Sequence, residues 1–210
     1  MLVPLWPKAT SDQNLRLHLG CFDQPVPGWI NTDITPHIFA ARIPALPFLL
    51  YKAGLLTHER YQQHRTNLFG NVSYLNATTR FPFKNSTFDY VFCSHFLEHL
   101  YPHGAEFCMK EVFRILKVGG IFRIVVPDLD KIVTAYDPFK PDEFCEGIFE
   151  TKQKRDKNQH HWHYNEISLD RILRKLGFRE VYRCQFREGR CADVHVIDNR
   201  PDSLFMEAAK

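Results

Sequence analysis

The sequence predicts an α/β fold: a doubly wound, mostly parallel sheet that ends in an antiparallel C-terminal strand. Three observations carry this. Short apolar strands alternate with helical stretches over most of the 210 residues. The first two strands end in residue types that suit the ligand-binding rim of such a sheet, Gly20 and Asp33. Two consecutive strand-like runs close the chain, which gives an antiparallel pairing at that end.

Leu15 to Leu19 reads as the first strand and Trp29 to Ile34 as the second. Pro25 and Pro27 lie between them, so no long helix fits there. Residues 35–70 read as a helical insertion, with pieces around Ala45–Leu56 and Thr57–His64. Val72 to Leu75 is a third strand. Phe88 to Ser94 is a buried fourth strand, almost wholly apolar after Asp89. His95 to Leu100 should begin a helix that Pro102 interrupts. Ala105 to Leu116 follows as an amphipathic helix, with Phe107, Val112, Phe113 and Leu116 at helical spacing and Gly119-Gly120 ending it. Ile121 to Val126 is a fifth strand and Leu129 to Tyr136 a helix. Residues 137–164, polar and histidine-rich, read as a long loop. Asn165 or Ser168 can cap a helix through Leu176, stopped by Gly177. Phe178–Phe186 and Ser203–Ala208 are the closing strands.

The length suits one domain with a full core, residues 1–210. The net charge of +3 is too weak to imply nucleic acid, and the basic run at 152–157 reads as a solvated loop. None of the six cysteines forms a C-x-x-C pair, which argues against a zinc knuckle or redox motif. The first seven residues lack the charged and apolar regions of a leader. The expectation is a cytoplasmic protein with reduced thiols. The apolar stretch from Ile38 to Leu56 contains Arg42, Pro44, Pro47 and Lys52, unlike a membrane span. It reads as a cover over the active site, or as a contact with a partner, another copy or a membrane.

Gly20 at the end of the first strand lets a ligand approach the backbone. Asp33 at the end of the second can accept hydrogen bonds from two ribose hydroxyls. Asn76, after the third, is placed to meet an adenine edge, and Ser94 and His95, after the fourth, to face a reactive end. Phe22 and Pro25 fill the later positions of a G-x-G-x-x-G fingerprint. With no first helix there is no standard pyrophosphate cradle, so a nucleoside without phosphates fits better.

These stretches resemble class I S-adenosylmethionine-dependent methyltransferases, which have a Rossmann-like fold. The resemblance rests on Leu17-His-Leu-Gly-Cys21, Gly28-Trp-Ile-Asn-Thr-Asp33, Phe81–Asp89, Ser94-His-Phe-Leu-Glu-His99, Glu111–Gly120, Arg123–Asp128 and Ser203–Ala208. It is most similar to small methyltransferases associated with polysaccharide and glycan biosynthesis, whose inserted Ala41–Leu55 segment it shares. The resemblance implies S-adenosylmethionine as cofactor. It implies contacts from His18, Gly20, Cys21, Asp33, Asn76, Ala77 and Ser94. His18 stands where the family commonly has an acid, Phe22 replaces a second glycine and Asn76 a frequent aspartate.

Methyl transfer from a sulfonium needs a nucleophile placed in line with the methyl and water kept out. A hydroxyl acceptor gains from a base or a metal. His95, Glu98 and His99 at i, i+3 and i+4 would share one helical face, and His163 from His160-His-Trp-His163 would supply a second wall. These four are the candidate catalytic residues. The same H-x-x-E-H string matches a metalloprotease pattern, which the surrounding frame makes a poor reading. It also resembles the E-x-x-E-H metal motif of RNA 2′-O-methyltransferases. A divalent metal is therefore conceivable here, though not expected. The leading expectation is methyl transfer to a hydroxyl of a sugar, nucleotide sugar or glycan precursor. The alternatives are a metal-assisted RNA 2′-O-methyltransferase, which lacks a basic patch, and a non-catalytic scaffold of the same fold.

Overall fold

The computed structural model describes residues 14–149 and 159–210. The first thirteen residues and the basic run at 152–157 lie outside them. Seven strands form one sheet: β1 (Arg16–Leu19), β2 (Ile30–Asp33), β3 (Val72–Tyr74), β4 (Phe88–Ser94), β5 (Leu116–Val126), β6 (Glu180–Cys184) and β7 (Leu204–Ala209). Their order is β3-β2-β1-β4-β5-β7-β6. Neighbours from β3 to β5 are parallel, and β7 runs antiparallel to both β5 and β6. The strand order reverses between β1 and β4, which is where a parallel sheet opens a crevice at its carboxyl ends. This is the class I methyltransferase architecture, as the alternation of strands and helices predicts.

Helices α1 (His37–Ala40), α2 (Leu46–Lys52) and α3 (His58–Arg65) fill the insertion between β2 and β3. Helix α4 (Pro102–Ile115) packs on the sheet through Ala105, Cys108, Met109, Val112 and Ile115, all fully buried. Phe107, expected on that face, is instead exposed. Gly119-Gly120 do not end the helix either, because β5 begins at Leu116 and runs through both glycines. The helix stops where Leu116 turns extended and pairs with Phe88 of β4. α5 (Leu129–Thr134) is followed by α6 (Pro141–Phe149), so the expected long loop holds a helix. α7 (Glu166–Leu176) starts at a reciprocal cap. Ser168 N–H donates to Asn165 Oδ1, and Asn165 N–H to Ser168 Oγ, each at 3.0 Å. Gly177, at φ +108°, ends it.

A short helix α8 (Val194–Ile197), which no periodicity announced, lies before β7. Its segment is fastened to the sheet by Arg123, buried in β5. The guanidinium donates to both oxygens of Asp198 and, at 2.8 Å, to Glu207 Oε1. It also donates to the Glu188 carbonyl at 3.0 Å. Glu207 in turn accepts from the Tyr182 hydroxyl and from the Arg190 and Cys191 amides. The described cysteines are all free thiols. No helix among the described residues is long and apolar enough to cross a membrane.

Candidate functional site

A cavity of about 600 Å³ sits at the carboxyl ends of β1, β2 and β4. A wider depression, about 770 Å³, lies at the opposite end of the sheet, between α4 and the end of α7. The strand reversal selects the first as the functional site.

One wall is the connection from β1 to β2. Without a helix, this loop is held by Asn31. Its Oδ1 accepts from the Val26 amide at 2.8 Å, and its Nδ2 donates to the Val26 and Trp29 carbonyls. Gly20, at φ +66°, occupies left-handed backbone space that favours glycine, and a Cβ there would lie 2.2 Å from Phe96 Cδ2. The glycine is needed for the turn and for Phe96 as much as for any ligand. Asp33 lines the cavity, with Oδ2 accepting from the Phe22 amide at 3.0 Å and Oδ1 from Thr35 at 2.7 Å. Burial pushes its carboxyl above the usual range, against the pull of those amides. From outside, Arg60 of α3 braces the same loop through Asp23 at 2.5 Å and lies 4.6 Å over the Phe22 ring.

His18 and Cys21 also face the cavity. The His18 ring bonds Asn31 Oδ1 through Nδ1 at 3.2 Å, and burial lowers its pKa to about 4. Burial likewise raises the Cys21 thiol well out of the reactive range, so that residue contributes shape, not a nucleophile. Asn76 and Ala77 are not among the cavity-lining residues. Asn76 Oδ1 accepts from the Thr78 amide and hydroxyl, which shapes the turn after β3, and Ala77 is packed in the core.

The facing wall comes from the segment after β4. Ser94, His95 and His99 line it. The expected helix through His95 does not form: His95 has φ +47°, and only a 3₁₀ turn, Leu97–His99, follows. His95 and Glu98 nevertheless meet. His95 Nδ1 lies 3.4 Å from Glu98 Oε1, and Nε2 is 2.8 Å from Ser203 Oγ. Burial, then the nearby Arg200, His160 and His99, lower the His95 pKa to about 3, so the ring is neutral at physiological pH. Glu98 is fully buried behind His95 and does not line the cavity. Its backbone carbonyl accepts from the His161 and Trp162 amides, which draws the histidine-rich segment against this wall.

That segment delivers His160, not His163, to the cavity. The His160 and His99 rings meet edge-on at 4.9 Å between centroids. Burial, then His99 and His163, hold His160 at a pKa of about 4. His163 stands behind, with Nε2 2.7 Å from the Ile148 carbonyl. Glu98, His99 and His160 offer ligand atoms within 4.8 Å of one another. Donors sharing one ion at about 2.1 Å lie roughly 3.4 Å apart, so this set is wider than a closed metal site. Asn199 and Arg200, beyond α8, complete the rim. No local pattern marks them; they arrive through the Arg123–Asp198 anchor.

The cavity and the strand ends together define a protein of methyltransferase architecture. Comparison with known proteins agrees. A family described as "Methyltransferase domain" matches residues 52–124, from the end of α2 through most of β5. A solved S-adenosylmethionine-dependent methyltransferase of Thermotoga maritima is 17% identical. The superposition covers 94% of this chain and 83% of that one, with a TM-score of 0.52. A methyltransferase of the same cofactor class from Methanosarcina mazei is 16% identical, with 99% of each chain covered and a TM-score of 0.52. No curated protein matches the chain. Fold and family match imply S-adenosylmethionine as cofactor. The residues present fit it: Asp33 is at the rim, Gly20 is in the turn, and the cavity between them carries no bulky side chain from the glycine.

Proposed function

We propose that the protein transfers a methyl group from S-adenosylmethionine to an acceptor hydroxyl, in a sugar, nucleotide sugar or glycan precursor. The observation that carries this is the pairing of two unlike walls in one cavity. Asp33, from the end of β2, and His95, His99 and His160 line the same cavity. Bound there, the cofactor supplies an electrophilic methyl on a sulfonium.

Asp33 accepts from the ribose hydroxyls on lone pairs left over from the Phe22 and Thr35 amides. The neutral His95 ring, on the cavity wall, would take up the acceptor's proton as the C–O bond forms and the donor's C–S bond breaks. Glu98, at Nδ1, orients the ring and stabilises the charge it gains, which makes it a positioning residue. His160, held uncharged by burial, and His99 beside it leave this wall polar. A diol or saccharide suits three imidazoles that can each donate or accept. His163 holds His160 in place.

The test is a screen of nucleotide sugars and glycan fragments with methyl-labelled donor, with donor binding followed by calorimetry. Labelled product with an acid-stable methyl ether is expected. His95→Ala should bind donor as the parent does and turn over at least about 100-fold more slowly. Transfer only to amines or thiols would overturn the hydroxyl assignment. Full turnover by His95→Ala would remove His95 from the chemistry.

A further inference from the structure

The insertion between β2 and β3 presents a surface that ordinary solvation does not explain. Helices α2 and α3 bury none of their residues fully. Ile43, Phe48, Leu49 and Leu55 stand in solvent, and Leu55 is 70% exposed. Four large apolar side chains exposed within residues 43–55 mark a contact surface.

The charges among them have one sign. Arg42, Lys52 and Arg65 are exposed, and among the described residues none has a carboxylate within salt-bridge distance. Glu59 is the single acid between positions 34 and 71, and the remaining cation there, Arg60, is held by Asp23. The Lys52 ammonium lies 5.7 Å over the Phe48 ring, so the charge rides beside an apolar tip. Apolar tips bordered by cations with long aliphatic stems suit the boundary between acyl chains and anionic headgroups. α2 is seven residues long, far short of a span. A second copy fits less well, because a twofold contact would bring two copies of one cationic patch together. A nucleic acid would leave the aliphatic groups in water.

We propose that residues 42–56 adsorb in the plane of an anionic bilayer, with Ile43, Phe48, Leu49 and Leu55 in the interface and Arg42 and Lys52 on headgroups. Ile34 is exposed at the rim of the cavity and leads directly into this segment, so the bound membrane lies beside the cavity mouth. The inference does not depend on methyl transfer.

Sedimentation of the full chain with vesicles, without methyl donor, tests it. Vesicles of phosphatidylcholine mixed with phosphatidylglycerol should bring the protein down, and phosphatidylcholine alone should bind much less. Arg42→Gln and Lys52→Gln should each lower the partition coefficient roughly fivefold. Phe48→Glu with Leu49→Glu should abolish it while the circular dichroism spectrum stays that of the parent, since both positions are exposed. No sedimentation with anionic vesicles overturns the proposal. So does binding that survives the Phe48/Leu49 change. Concentration-dependent dimerisation lost in Phe48→Glu, without vesicle binding, would assign the surface to a second copy instead.

Discussion

Asp33 has four lone pairs. Two are used on the Phe22 and Thr35 amides, which fix the loop after β1 and the turn after β2. The Ile34 amide also draws on the carboxylate, and what remains is what the proposed ribose contact would use. Asp33→Ala removes both sets, and hydrogen bonds to a charged group contribute about 1.5–3 kcal/mol each. Each ribose bond lost should therefore lower donor affinity about 10- to 100-fold in calorimetry, and Asp33→Asn, which keeps one acceptor oxygen, should fall less. Equal affinities for all three would place the ribose elsewhere. The histidines make a second prediction at this scale. Burial lowers His18, His95 and His160 to about 4, 3 and 4, against 6.5 for an unburied ring. Between these values the unfolded chain binds protons that the native one refuses, so stability rises with pH through that window. The contribution is whole above pH 6.5 and is lost as acid carries the solution down toward pH 4 and 3. The Tm should fall steadily from pH 7 to pH 4.5 in scanning calorimetry. His160→Gln should flatten the slope. A Tm indifferent to pH over that range would mean these rings are solvated.

Arg123 sets the stability of an element rather than of a residue. It ties β5 to β7 through Glu207, and to the segment carrying α8 through Asp198 and the Glu188 carbonyl. Arg123→Met would leave two buried carboxylates facing each other without their cation. Breaking such a pair costs about 3–5 kcal/mol, visible as a lower urea midpoint with an unchanged slope. A cost below about 1 kcal/mol would mean the carboxylates find water or protons easily. This anchor also shows what the sequence hides. Strands β1 to β5 and the capped α7 were legible because alternation, a strand-ending glycine and an Asn-x-x-Ser cap are local signals. The buried face of α4 was misread through Phe107, since hydrophobicity alone does not say which of two apolar faces meets the sheet. The wall of the cavity was half legible. His95 and His99 sit close to Glu98 in sequence, but His95 adopts a left-handed backbone that no helical wheel foresees. His160 displaces the expected His163 because the Glu98 carbonyl takes the His161 and Trp162 amides, a contact across 63 positions of chain. Arg200 enters the site only by way of Arg123 and Asp198.

At the scale of the whole molecule, the cavity is built by parts distant in sequence: the loop after β1, the end of β2, the segment after β4, His160, and the rim beyond α8. A ligand that touches all of them binds only when they are assembled. Occupancy is then linked to global stability by mass action, and a donor present at 100 times its Kd adds about 2.7 kcal/mol. For a chain of this length that is roughly 5–11 °C in Tm. S-adenosylmethionine and S-adenosylhomocysteine should both raise the Tm by this order, because the adenosine, and with it the proposed Asp33 contact, is common to both. Adenosine triphosphate should not, since the loop after β1 lacks a phosphate-binding helix start. The same scan separates an enzyme from a scaffold of like fold: in a scaffold the rim holds no donor, and neither nucleoside moves the transition. Donor-induced stabilisation that persists in Asp33→Ala at the parent's concentration dependence would locate the nucleoside in some other cavity.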